Sequence, residues 1–375
     1  MKIGILTHPL DYNYGCLLQA FALQKTIREM GHEVVTINRY SDPHRPFKVL
    51  LKDWIHRLKS RVIKHQHVSL CWNPIESLDT KRVLASKTQL FVDRNIVNTG
   101  IVLPKDLKRI DEEYKFDAYV VGSDQVWLPH FSLNCFLNFV QRDNVKRIFY
   151  AASTGALSFA DNPLILQECK ELVKKFSGIS VREDNLISLV KNTLNREATQ
   201  VLDPTLLLTS QDYLNTCNQE IQSDPVIFTY ILDKTSDKQL LIEKIAEKLK
   251  LPIVRGSVEK DYVKGKGMNI FDCIYPSVEE WISNLSRAKF VVTDSFHGTC
   301  MSIVFRKPFV VFGNESRGLN RFLSLLRLFG MENRLLLKSS EFKDSFYQSI
   351  DTIDLNNRIN ELQSISISYL QKNLQ

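Results

Sequence analysis

No run of about 18 apolar residues occurs anywhere in the 375-residue chain, so no segment is built to span a bilayer. The opening MKIGILTHPLDYNYG has only a brief apolar run before Asp11, which excludes a signal peptide. Cysteine is sparse and unpatterned: residues 16, 71, 135, 169, 217, 273 and 300 are odd in number and never spaced C-x-x-C. That usage fits a reducing cytoplasm and argues against a structural zinc site. Glycine and proline are modest, at 14 and 12 residues, and 44% of the chain is apolar, so low-complexity tracts are absent and a globular fold is expected. No internal repeat stands out. The length exceeds one ordinary core and implies two domains.

Positive charge is concentrated. Eight Lys/Arg fall between Arg39 and His67 against Asp42 and Asp53, a local balance of +6 within a net charge of +7. A surface shaped for DNA spreads its basic residues more widely, so nucleic acid is not an expected partner. Within this segment Pro46 opens a helical pattern through Ile63, with Phe47, Leu50, Leu51, Trp54, Ile55, Leu58 and Val62 on one stripe. Two readings follow: peripheral membrane contact through 46–63, or, more commonly for such patterns, a surface helix packed on its own domain.

The remaining chain alternates strands and helices. Lys2–Leu6, Glu33–Asn38, Asp117–Val121, Arg147–Ala151, Gly178–Val181 and Gln200–Leu202 read as strands, with helices at Cys16–Met30, Lys81–Asp93 and Pro163–Phe176. The first loop, HPLDYNYG, holds one glycine where a dinucleotide fingerprint needs G-x-G-x-x-G, and no acidic residue ends the second strand, which argues against NAD. Thr209–Asp224 reads as a polar linker. A second run then places strands at Val226–Ile231 and Pro252–Arg255, and helices at Ser236–Lys250, Ser277–Ala288, Asn320–Phe329 and Leu355–Leu374. The expected architecture is α/β, two Rossmann-like domains facing a cleft. The first spans 1–215 and the second 224–345, with helix 354–374 packing back on the first.

The most informative stretch is AKFVVTDSFHGTCMSIVFRKPFVVFG, 288–313. It reads as a buried strand, a polar turn at Asp294–Gly298, a short helix over Thr299–Phe305 and another buried strand. Ligands in open α/β sheets collect beyond the carboxyl ends of strands, and a helix N-terminus favours anions. His297 there reads either as an acid beside an anion seat or as a core histidine bonded to a carbonyl. Three strands of the first half also deliver polar turns at their carboxyl ends: GSDQVW at 122–127, ASTG at 152–155 and REDN at 182–185. Asp124 or Ser123 can serve chemistry or cap the next helix. Arg182 can hold a ligand or pair with a neighbouring carboxylate.

NYGCLLQAFAL (13–23), VVGSDQVW (120–127), YAASTG (150–155), SVREDN (180–185), LDPTLLL (202–208) and TDSFHGTCMSIVFRKPF (293–309) together resemble, in order, the motifs of the polysaccharide pyruvyltransferase family. Cys16 and Leu128 depart from the family's usual residues, at positions that bear on the acceptor. The resemblance implies a GT-B-like fold. It also implies transfer of the pyruvyl group of phosphoenolpyruvate to a sugar diol of a surface-polysaccharide precursor, giving a cyclic ketal and phosphate. Phosphoenolpyruvate and an oligosaccharide or lipid-linked saccharide are then the partners, and no metal or other cofactor is required.

Ketal formation from an enol phosphate needs a proton on the methylene carbon, which His297 can give as general acid. By the same resemblance Asp124 orients or deprotonates the acceptor hydroxyl. Arg182, Ser295, Gly298, Thr299 and Ser153 are the expected donor-binding residues, with the amides of Gly298 and Thr299 holding phosphate oxygens. Asn13, Tyr14, Gln125 and Trp127 are expected on the acceptor side. Two other classes stay open: a GT-B glycosyltransferase using a nucleotide-sugar in the same cleft, and a non-catalytic carbohydrate-binding relative.

Overall fold

A computed structural model describes residues 1–40, 78–127, 132–154, 163–217, 223–259, 262, 268–313 and 318–375. The basic stretch 46–63 lies outside the described residues. In chain order the first half contains β1 (Lys2–Leu6), α1 (Tyr14–Glu29), β2 (Glu33–Arg39), α2 (Leu78–Leu84), α3 (Ser86–Asn95), β3 (Asn98–Val102), α4 (Leu107–Tyr114), β4 (Ala118–Val121), β5 (Lys146–Ala152), α5 (Pro163–Val173), β6 (Gly178–Val181), α6 (Asn185–Leu194) and β7 (Thr199–Gln200). After α7 (Ser210–Leu214) come β8 (Val226–Tyr230), α8 (Ser236–Leu249), β9 (Ile253–Arg255), α9 (Val278–Ser286), β10 (Ala288–Thr293), α10 (Phe296–Val304), β11 (Phe309–Phe312), α11 (Leu319–Leu328), β12 (Leu335–Leu336) and α12 (Thr352–Leu374).

The strands form two wholly parallel sheets, ordered β3-β2-β1-β4-β5-β6-β7 and β12-β11-β10-β8-β9. Their central strands are buried on both faces, which is why Ala118–Val121 and Phe309–Phe312 are continuous apolar runs. In the first sheet the strand order reverses between β1 and β4, and in the second between β8 and β10. Those reversals are the crevices where doubly wound sheets take ligands. Here they face one another.

Described residues of the two halves pack against each other along the seam. Tyr14, Leu17 and Phe21 of α1 share one apolar cluster with Trp281 of α9 and Phe296 and Met301 of α10. The Tyr14 hydroxyl donates across the seam to the Pro276 carbonyl at 2.9 Å. The last helix, α12, ties both halves: Arg306 donates to Asn356 near its start, while Tyr369 near its end donates to the Phe149 carbonyl at 2.9 Å.

Several elements differ from the sequence reading. Helix α10 begins at Phe296, because the Ser295 hydroxyl accepts from the Gly298 amide and caps the helix there; His297 and Gly298 lie in its first turn, not before it. The expected helix 81–93 is two helices, α2 and α3. The polar linker opens on α7, nucleated by a reciprocal capping box between Thr209 and Asp212. Strand β3, with two exposed and two half-buried residues, has no clean alternation, and α4 and α6 are too short to show a long period.

Candidate active site

The carboxyl ends of β1, β4, β5, β6 and β7 meet the turn after β10 at the seam. Backbone geometry aims each of them. Gly122 ends β4 at φ +124° with a Cβ position only 2.1 Å from the Tyr150 carbonyl oxygen, so only glycine passes this point. Asp124 follows at φ +73°, a left-handed conformation that aspartate tolerates. On the other side, α10 holds His297 against Gly15 at the start of α1. A Cβ on Gly15 would lie 2.2 Å from His297 Nδ1, so the imidazole rests directly on the backbone of the opposite half.

Arg182 is the hub. Its Nη2 donates to Asp124 Oδ1 at 3.2 Å, its Nη1 to Asp203 Oδ2 at 2.9 Å and its Nε to Glu183 Oε1 at 3.2 Å. The Phe296 ring covers its guanidinium face, 4.0 Å from the central carbon. Asp203 accepts further bonds from the Ser123 hydroxyl at 3.1 Å and from the amide and hydroxyl of Thr205 at 3.0 and 2.7 Å. Its Oδ2 stands 3.6 Å from His297 Nε2. A continuous polar chain therefore runs from His297 through Asp203 and Arg182 to Asp124 and Glu183, crossing the seam once.

The three carboxyls differ in environment. Burial alone would raise Asp124, but Arg182, His8, His297 and Arg321 outweigh it and hold the carboxyl far below the usual range. Burial likewise opposes ionisation of Asp203, and His297 and Arg182 overcome it by a wide margin. Glu183 goes the other way. Desolvation dominates there, and Arg182, Ser153 and Arg321 only partly offset it, so its carboxyl is raised. Burial also lowers His8, against the opposing pull of Asp124. Cys16 lies with its sulfur 3.9 Å from Asp124 Oδ2, and burial first, then that carboxylate, keeps it a thiol.

The structure sorts the expected site residues into groups. His297, Asp124 and Arg182 come together, although Arg182 already spends three of its five N–H groups on carboxylates. Ser153 is buried and donates to Glu183 Oε1 at 2.8 Å. The Ser295 hydroxyl is the cap of α10. The Gly298 amide donates to that hydroxyl and the Thr299 amide to the Ser295 carbonyl, so the two amides expected to hold phosphate are engaged within the helix. Thr299 is itself fully buried, its hydroxyl bonded to the Ser295 carbonyl.

On the acceptor side Asn13 is exposed and caps α1, and Gln125 is half-buried. Tyr14 and Trp127 are core residues instead. Tyr14 stacks on Trp281 with ring centroids 5.7 Å apart, and Trp127 meets the Phe149 ring edge-on at 5.0 Å. Their side chains turn into the core, although the Trp127 amide donates to the Ser153 carbonyl at 3.1 Å. Sequence reasoning missed Asp203, Glu183, His8 and Arg321; Glu183 and His8 follow buried strands, as Asp124 and Arg182 do, and Asp203 follows the buried pair Val201 and Leu202, so that shared position was the available signal.

The family model for polysaccharide pyruvyl transferases matches residues 13–316, a span that contains every strand end at the seam except the first loop's His8. The chain belongs to the polysaccharide pyruvyl transferase family. It is accordingly a transferase. Comparison with curated proteins gives no match. Among solved structures, a UDP-GlcNAc 2-epimerase from Neisseria meningitidis bound to UDP-GlcNAc is similar over 100% of both chains, with 12% identity and a TM-score of 0.50. The S. aureus MnaA–UDP complex (11% identity, 96% of this chain, 91% of that one, TM-score 0.48) and the spinosyn forosaminyltransferase SpnP (12%, 97%, 95%, 0.45) are also similar. The two doubly wound parallel sheets, together with the likeness to the epimerase, give this family member the GT-B-like pair of Rossmann-like units. No described helix is long and apolar enough to cross a membrane.

Proposed function

We propose that this family member transfers the pyruvyl group of phosphoenolpyruvate to two hydroxyls of a saccharide, forming a cyclic ketal and releasing phosphate. The observation that carries the reading is His297 set at the seam with a buried carboxylate behind it, 3.6 Å from Nε2. That distance is beyond a hydrogen bond and Nε2 has no hydrogen-bond partner among the described residues, so the carboxylate acts on the imidazole through its charge and leaves the ring nitrogen unspent for a ligand. The imidazolium gives its proton to the methylene carbon, converting it to methyl and leaving an oxocarbenium-like centre. One hydroxyl adds there and loses its proton; the second displaces phosphate and loses its own, so that one proton leaves on the phosphate and the other restores the imidazolium. The two hydroxyl protons thus balance the new C–H bond and the protonated phosphate.

Asp124, held ionised, accepts a hydrogen bond from an acceptor hydroxyl and orients it. Arg182 fixes the three carboxylates and has two N–H groups left for the donor's anionic ends. Asn13 and Gln125, at the accessible rim, serve the saccharide. The acceptor is a precursor of a surface polysaccharide.

The test pairs His297→Gln with Asp203→Asn. His297→Gln should lose about 100- to 10,000-fold in phosphate release with unchanged circular dichroism. Asp203→Asn, which leaves the acid in place but removes the negative charge beside it, should lose less in the same assay. Activity of His297→Gln within a few-fold of wild type contradicts the proposal, and loss of folding returns His297 to the core.

A further inference from the structure

Glu183 is the one carboxyl of the cluster that the mechanism above leaves unused. It sits at the carboxyl end of β6, beside Arg182 and 2% exposed. Its Oε1 accepts from the Ser153 hydroxyl at 2.8 Å and from Arg182 Nε at 3.2 Å. Its Oε2 is fully buried and has no hydrogen-bond partner among the described residues. A buried carboxylate oxygen without a donor is costly, by about 1–3 kcal/mol or more when charged, so its persistence calls for an explanation. A bound proton, or a hydroxyl brought by a ligand, supplies one.

The chemistry supplies the need. When His297 delivers its proton to the methylene carbon, the attacking hydroxyl must lose one, so a second group has to be unprotonated at that moment. Asp124 and Asp203 are poor choices, because each is clamped as an anion by Arg182 and by histidine neighbours. A proton acceptor works best when its affinity for the proton is near that of its surroundings, and separated affinities in one site mark the acid and the base. Glu183 is the carboxyl whose burial outweighs its cations. It is wired to the acid as well: Arg182 bonds both Glu183 and Asp203, and Asp203 faces His297.

We propose that Glu183, through its unpartnered Oε2, takes the proton of the attacking acceptor hydroxyl and returns it to the departing phosphate, with Ser153 positioning the carboxyl. This rests on the pyruvyl-transfer reading above. The O–H bond of the first acceptor hydroxyl breaks as its oxygen bonds the ketal carbon, the proton resides on Oε2, and it leaves on a phosphate oxygen as the C–O–P bond breaks; the proton of the second hydroxyl, released as its oxygen completes the ketal, restores the His297 imidazolium. The charged groups facing Glu183 are Arg182 on its own strand end, Arg321 from α11 and, through Arg182, Asp124 and Asp203.

The experiment compares wild type with Glu183→Gln and Glu183→Asp by two readouts. Glu183→Gln keeps an oxygen for Ser153 and Arg182 but takes no proton. Phosphate release from phosphoenolpyruvate, with a pool of diol-bearing saccharides, should fall about 100-fold or more in Glu183→Gln. The acidic limb of the wild-type pH profile should disappear with it, and Glu183→Asp should recover part of the rate. Independently of turnover, infrared difference spectra between acid and neutral pH should show a protonated-carboxyl band in wild type that Glu183→Gln removes. Wild type that binds no phosphoenolpyruvate but keeps that band faults the donor reading while supporting Glu183 as the proton holder. Rates of Glu183→Gln within a few-fold of wild type with the acidic limb intact, or a band unaffected by the substitution, overturn the proposal.

Discussion

At the scale of single residues, the site is governed by one guanidinium among three carboxylates. Removing one partner of a buried ion pair leaves its charges uncompensated and typically costs about 3–5 kcal/mol. Arg182→Lys keeps the charge but cannot meet Asp124, Glu183 and Asp203 from three directions. Urea unfolding should therefore register a loss of about 1–3 kcal/mol for each carboxylate left without its donor, before any change in the Michaelis constant for phosphoenolpyruvate is considered. A loss under about 1 kcal/mol would remove Arg182 from its hub role. The same cluster sets an acid dependence. Asp203 is lowered in the folded state, so its contribution is present above the ordinary carboxylate range near pH 4 and fades as pH falls below it. The gap in stability between wild type and Asp203→Asn should thus be wide at pH 7 and shrink toward pH 3. Glu183, being raised, contributes in the opposite sense: its share is present at low pH and lost as pH rises through its folded value. A gap for Asp203→Asn that is constant with pH contradicts this electrostatic account.

At the scale of elements, the decisive contact is α1 against α10. Gly15 lies in the first turn of α1, where alanine would ordinarily be at least as good a helix former. Its Cβ position is nevertheless filled by His297. Gly15→Ala should therefore keep or gain helix content yet lose at least about tenfold in turnover, since a misplacement of an ångström is enough for that. Unchanged turnover would mean that His297 is free to move and that its seat is not set by α1. This contact also marks where sequence reading ends. Strands such as Gly178–Val181 and β1 were legible because parallel strands buried on both faces become apolar runs. Asp124, Arg182 and His297 were legible because polar residues directly follow such runs. Which of those residues points inward was not, because that depends on packing between segments far apart. Tyr14 and Trp127 sit beside site residues in the chain but turn into the core, whereas Asp203, across a domain from His297, turns toward it. The start of α10 was misread for a local reason: TDSFHG looks like a polar turn until Ser295 is seen to cap a helix that already includes His297.

At the scale of the whole molecule, two sheets with opposed switch points are held shut by α1 and by α12, which bridges the halves. Helix α12 buries Leu355, Ile359, Leu362, Leu370 and Leu374, and its Ser366 hydroxyl accepts from the Leu202 amide, one residue before Asp203. At about 1.5–3 kcal/mol for each large apolar side chain, this helix contributes as much as a typical domain's entire net stability. A chain ending at Asp351 should not give a cooperative thermal transition, and Ser366→Ala should lower stability by about 1–3 kcal/mol through the orphaned Leu202 amide. A truncated chain that melts cooperatively near the wild-type temperature would show the halves to be independent. A small enol phosphate, not a nucleotide-sugar, is the donor proposed for this GT-B-like frame. Phosphorus NMR with saccharide acceptors, run beside thermal-shift measurements on phosphoenolpyruvate and on UDP- and GDP-sugars, tests it most directly. The expected result is stabilisation by phosphoenolpyruvate, with inorganic phosphate appearing only when a diol acceptor is present. Stabilisation by a nucleotide-sugar alone, with release of nucleoside diphosphate, would contradict it.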